Sequence, residues 1–168
     1  MAYGTTAAGT ITKETNISIR RIPVAASTTI TKGQVCNSDT SGNLVTSTTG
    51  IVAEVNHFVA LETVDNSSGS AADLYCPVAV RGHYVTVVAG DVIVAGERVV
   101  SSGAVAGEVL AYVAATHAID QVVGIYWGKE SGTVATGGST PYAETFTDTA
   151  DFSPANAADN DVIEVELL

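Results

Sequence analysis

Apolar and polar residues alternate over short runs along this chain, and the runs are punctuated by glycine, asparagine, aspartate and serine. Ile17-Ser18-Ile19-Arg20-Arg21-Ile22-Pro23-Val24 opens the series as a strand, and Pro23 limits it to an edge or an end. Thr28 to Cys36 runs into Asn37-Ser38-Asp39-Thr40-Ser41-Gly42-Asn43, a cluster that caps turns and tolerates positive φ; Leu44-Val45-Thr46 follows, predicting a hairpin. Ile51 to Val55 continues the series, and a less regular stretch through His57, Phe58 and Leu61 leads to the polar turn Asp65 to Ser70. Leu74 to Val87 reads as two short strands meeting at a bend, because Pro77 and Gly82 interrupt its β-branched and aromatic residues. Val92-Ile93-Val94, Arg98-Val99-Val100, Ala104-Val105, Val109 to Val113 and Val122 to Trp127 complete the run. Ala111 to Ile119 is alanine-rich enough for two helical turns, but Tyr112, Val113 and Thr116 favour a strand followed by a turn. Short strands recurring between turn signals predict an all-β fold, a compact sandwich or barrel.

The same pattern divides the chain. Residues 1–22 read as an extended N-terminal arm, since an Ala/Thr/Gly opening cannot bury enough surface to order itself without a partner. Residues 23–130 form the β-barrel body. Residues 131–160 are too polar for a core and too long for an ordinary loop, and read as an exposed excursion pinned by Tyr142, Phe146 and Phe152. Residues 161–168 alternate cleanly and return to the sheet as a final strand, with Glu164 and Glu166 on its wet side.

Two segments echo one another. Ile30 to Val35, a turn at Ser41-Gly42 and Gly50-Ile51-Val52 can be laid over Val94 to Val99, a turn at Ser102-Gly103 and Gly124-Ile125-Tyr126. A duplication and the ordinary reuse of glycine turns both account for this.

Composition narrows the function. Against 18 acidic residues the 168-residue chain has 7 basic ones, a formal charge of -11, so a phosphate backbone is repelled and a nucleic-acid partner is disfavoured. No run approaches the length of about 18 apolar residues that a membrane helix needs, and neither end resembles a targeting signal. Cys36 and Cys76 lie in no CxxC pair and read as small buried hydrophobes.

Reactive chemistry is hard to assemble. His57, His83 and His117 lack the spacing that places two imidazoles on one metal, no GxSxG elbow occurs, and Gly137-Gly138-Ser139-Thr140 lacks the lysine of a phosphate loop. Asp148, Asp151, Asp159 and Asp161 lack the alternation of a calcium loop and read as a solvated acidic face. The expectation is a non-enzyme with no cofactor and no metal. Lys13, Arg20 and Arg21 are the one basic concentration in an acidic chain, and fit contact with an acidic partner surface.

Several motifs together, Ile30-Thr31-Lys32-Gly33-Gln34-Val35, Gly50 to Val55, Val78-Ala79-Val80-Arg81-Gly82, Val92 to Val99, Val123-Gly124-Ile125 and the final valine-rich strand, resemble the capsid decoration, or cement, proteins of tailed bacteriophages. The likeness covers roughly residues 17 to 130 and the last strand. It implies a β-barrel or β-tulip-like body, a homotrimer, that sits on the outer surface of the expanded virion capsid and joins neighbouring major capsid protein subunits. Lys13, Ile17, Ile19, Arg20, Arg21 and Ile22 are then the expected capsid contacts. The alternative is a surface adhesion or carbohydrate-binding β-module, with Trp127, Tyr142, Phe146 and Phe152 as stacking residues.

Overall fold

The computed structural model describes residues 8–13, 19–47, 57–102, 108–130, 152–153 and 156–168, and these are all-β. The first half carries β1 (Arg20–Pro23), β2 (Thr28–Ile30), β3 (Val35–Ser38), β4 (Leu44–Thr46), β5 (Phe58–Ala60), β6 (Val64–Asn66) and β7 (Tyr75–Ala79). The second carries β8 (Tyr84–Ala89), β9 (Arg98–Ser101), β10 (Glu108–Ala111), β11 (Val122–Glu130), β12 (Phe152–Ser153) and β13 (Val162–Leu167). The Ala111 to Ile119 stretch is a strand end followed by a turn, but the strand stops at Ala111, short of the expected Tyr112 and Val113, and only Ile119–Gln121 coils, as a 3-10 turn.

One sheet runs β1-β7-β5-β3-β4, and its two ends meet at a parallel bridge between Val24 and Leu44. The other runs β12-β11-β13-β8-β10-β9, and β9 also pairs with β11, so β11, β13, β8, β10 and β9 close into a barrel of five strands. Strand for strand, β8, β13, β11, β9 and β10 repeat the order of β1, β7, β5, β3 and β4.

The echo is therefore a duplication of pairing, down to the register. Cys36 faces Thr46 and Ser38 faces Leu44, as Val99 faces Ala111 and Ser101 faces Val109. Val35 faces Val59 as Arg98 faces Ile125, and the parallel Val24–Leu44 bridge corresponds to the parallel pairing of Ala89 with Val109. The turns agree as well. Gln34 N–H donates to Thr31 O at 3.0 Å while Thr31 N–H donates to Gln34 Oε1 at 2.8 Å; Glu97 and Val94 repeat this at 3.0 and 2.9 Å. Gly33 and Gly96 supply the positive φ, 83° and 90°, that each turn demands. Before the last strand of each unit an aspartate, Asp73 or Asp161, accepts from the N–H three residues earlier at 2.8 Å, beside Ala72 or Asn160 in the left-handed region.

This register corrects two details of the sequence overlay. Gly33 corresponds to Gly96, one step from the alignment of Val35 with Val99, and the strand matching Gly124-Ile125-Tyr126 is Phe58-Val59-Ala60 rather than Gly50-Ile51-Val52. The 48–56 segment lies outside the described residues.

Each unit fills its own core with matching positions. Ile22, Val24, Ile30, Cys36, Leu44, Phe58, Ala60, Cys76 and Val78 pack in the first, where Val87, Ala89, Ile93, Val99, Val109, Gly124, Tyr126, Ile163 and Val165 stand in the second. Ring and small residue exchange places along the middle strand, Phe58 and Ala60 against Gly124 and Tyr126, so each interior keeps one aromatic ring. The outer face of the first sheet, Val35, Val59 and Ala79, joins the second core, so β5 is buried on both faces. A strand wet on neither side shows no alternation, which is why the sequence pattern passes over it.

Cys36 and Cys76 are free and buried in the first core, and burial pushes both thiols up, Cys36 the more. Val92-Ile93-Val94, expected as a strand, makes only a bridge from Ile93 to Ala157. Ala157 is itself buried, so the 156–160 end of the expected excursion belongs to the body. Of the rest of that segment, Phe152–Ser153 pairs with β11, while Tyr142 and Phe146 lie outside the described residues.

Acid is expected to destabilise the fold in two steps. Burial lowers the pKa of His57 below its ordinary 6.5, although Asp120, whose carbonyl lies 3.3 Å from Nε2, pulls the other way. The Ala158 N–H, and then Lys129, hold Asp161 below 3.8 against burial. Both groups titrate lower in the folded chain, so both contributions are present at neutral pH. The histidine's fades as pH falls below 6.5 and the aspartate's as pH falls below 3.8. Urea melts across pH should show His57→Gln removing the upper limb and Asp161→Asn flattening the lower one.

Candidate functional site

The basic residues singled out in the sequence divide between two places. Lys13 belongs to a strap, residues 8–13, laid along the chain's own β8. Thr86 N–H donates to Thr10 O at 2.9 Å, Gly9 N–H to Thr86 O at 2.7 Å, and Thr12 N–H to Tyr84 O at 3.0 Å. Thr10 N–H also donates to Thr86 Oγ1 at 2.9 Å. Lys13 Nζ sits 3.2 Å from Glu164 Oε1 and 4.0 Å from the centre of the Tyr84 ring, and Thr12 Oγ1 donates to Glu164 Oε2.

Glu164 is accordingly not on a wet face: it is 3% exposed, covered by the strap and paired with its cation. The strap also touches the first unit. A side chain at Gly9 would meet Ala60 O and Gly33 N at 2.5 Å each, so only a glycine with φ of 76° threads this gap. The described part of the expected arm thus joins one unit to the other.

Arg20, Arg21 and Ile22 stand elsewhere, on β1 at the rim of the first unit, with Ile19 just before them. Arg20 and Arg21 are exposed and Ile22 is half-buried. Arg21 lies opposite Pro77 and Pro23 opposite Tyr75, so Ile19, Arg21, Pro23 and Tyr75 share one outward face. Ile19 and Tyr75 are each 52% exposed, and Leu74 beside them is 41% exposed. The result is an apolar patch crossed by the Arg21 guanidinium, with the exposed Arg20 on the other face of the same strand, on a chain of strong negative charge. Such a patch suits a partner surface that offers carboxylates between apolar contacts, because the arginine fork pairs with a carboxylate bidentately. Tyr75 and Leu74 were not legible as part of it, since only the pairing of β1 with β7 brings them there. Ile17 lies outside the described residues.

A second cluster occupies the outward face of the barrel. Glu166 Oε2 accepts from Trp127 Nε1 at 2.8 Å and from Tyr84 Oη at 3.1 Å, and the Trp127 ring is 45% exposed. Burial, then the Glu166 hydrogen bond and nearby carboxylate charges, raise the Tyr84 hydroxyl above its ordinary range. Among the described residues no group of three or more His, Cys, Asp and Glu is placed to hold a metal ion, and no helix is long and apolar enough to cross a membrane.

No protein-family model matches the chain, and no curated protein matches it.

Proposed function

We propose that this chain is a non-enzymatic decoration protein that binds the outside of an expanded viral capsid and cements neighbouring major capsid protein subunits, as a trimer around a threefold position. The observation that supports the reading most is the Ile19–Arg21–Tyr75 face: an exposed apolar and cationic patch on a chain of net charge -11. The duplicated units fit the same role, because two units joined by the strap of residues 8–13 offer a surface that would bridge adjacent subunits, and several copies around one axis would multiply modest contacts. Negative charge elsewhere keeps coated particles apart.

Reversing the patch tests this. Arg20→Glu with Arg21→Glu should weaken binding to expanded capsid shells by about 100-fold, with an unchanged melting temperature because both side chains are exposed. Unchanged shell occupancy would remove the patch from the interface.

A second reading, glycan recognition, has one specific observation in its favour: the half-exposed Trp127 ring with the Glu166 carboxylate fixed at its edge. Binding on a glycan array that is lost in Trp127→Ala would favour it, and an array without any bound glycan would count against it.

A further inference from the structure

The duplication gives every edge of the first unit a counterpart in the second, and one pair of counterparts differs in what covers it. In the barrel, the open edge of β8 at Tyr84–Thr86 is filled by the strap, which adds antiparallel with Ile11 opposite Val85. By register, Tyr84, Val85 and Thr86 correspond to Ile19, Arg20 and Arg21.

The backbone of Arg21 is oriented like that of Thr86. Its partner across the ladder, Pro77, has no N–H to give, and the Pro77 carbonyl is taken from the other side by Leu61 N–H at 3.0 Å. The Arg21 N–H and C=O therefore point away from β7, to the outer edge of β1. Among the described residues nothing is paired there.

We propose that this edge of β1 accepts an added strand, and that the strand is an extended, carboxylate-bearing segment of another protein. The twin edge shows that the geometry takes a strand. The charges show that it does not take this chain's own arm from a second copy: the strap's cation Lys13 is received by Glu164, and the residue standing in the place of Glu164 is Pro77. Arg21, on the face where Lys13 would lie, would instead repel it and attract carboxylates. Backbone hydrogen bonds along the edge supply affinity, and the Arg21 guanidinium on the outer face supplies the selection. This deepens the decoration reading by naming what the shell would offer to the patch.

The test uses the full chain and two short blocked peptides, one alternating valine with glutamate, the other valine with lysine. Amide hydrogen exchange is followed residue by residue. The glutamate peptide should bind and slow exchange of the Arg21 amide at least tenfold, and the lysine peptide should do neither. Arg21→Pro should abolish binding with the fold intact, because that N–H serves no bond within the sheet and an edge strand tolerates proline. Should that variant lose its melting transition, Arg20→Glu with Arg21→Glu replaces it and should transfer preference to the lysine peptide. Equal binding of both peptides, or no protection of the Arg21 amide by either, overturns the proposal. Expanded shells separate the two readings. If shells bind the chain and the Arg21 amide still exchanges freely, the edge proposal fails and decoration stands; if the glutamate peptide binds and shells do not, decoration fails and the acceptor edge stands.

Discussion

Replacing Tyr126 by alanine should cost about 4 kcal/mol and lower the melting temperature by about 10 °C or more. The ring is fully buried at the centre of the second core, and burial with the Asp161 charge pushes its hydroxyl up to about 12. Alanine is what the first unit carries at the same place, Ala60, where Phe58 fills the volume from two residues earlier. Importing that solution, Gly124→Phe with Tyr126→Ala, should not rescue the barrel. A side chain at Gly124 would meet Glu166 O at 2.3 Å and the Val165 side chain at 2.4 Å, and the first of these is backbone that cannot step aside. Tyr126→Phe should keep most of the stability. Thermal melts of the variants check the order, and a stable double variant would show that the two cores are interchangeable.

Removing residues 2–13 should lower stability by about 3 kcal/mol, the sum of a few backbone hydrogen bonds and one charge-assisted contact. For a chain of this size that is a fall of about 6–12 °C in melting temperature. The loss follows from what the strap contacts: it bonds to the buried Thr86 and Glu164, and Gly9 lies between Gly33 and Ala60 of the first unit and β8 of the second. Lys13→Met is the milder version. It leaves Glu164 beneath the strap without its cation, so it should destabilise more than Glu164→Gln, which leaves a solvated lysine behind. Calorimetry of the three variants decides the point; identical melting curves would mean that the strap contributes nothing to holding the units together.

How much of this was written in the sequence depends on whether a strand has a wet face. β1, β3 with β4, β7, β8 and β13 were legible from alternation and turn residues. β5 was not, because Phe58, Val59 and Ala60 are covered on both sides. The turn residues exposed the duplication, since Thr31 to Gln34 and Val94 to Glu97 must each place a glycine at positive φ and a hydrogen-bonding side chain after it. The core pairs hid it, because Phe58 for Gly124 and Ala60 for Tyr126 preserve total volume and erase identity. Glu164 misled for a related reason: alternation with valine assigns it to the outer face correctly, and nothing local reveals that a segment 152 residues away in sequence lies over that face. Arg20 and Arg21 stood out as cations in an acidic chain, whereas Tyr75 joins them only through the pairing of Pro23 with β7.

The most direct measurement of the decoration reading is co-sedimentation of the purified chain with expanded shells that lack it, with bound copies counted per major capsid subunit. Saturable binding at one fixed ratio, together with greater resistance of the shell to heat, is the predicted result. Shells that sediment without the chain, and melt at the same temperature in its presence, would contradict it.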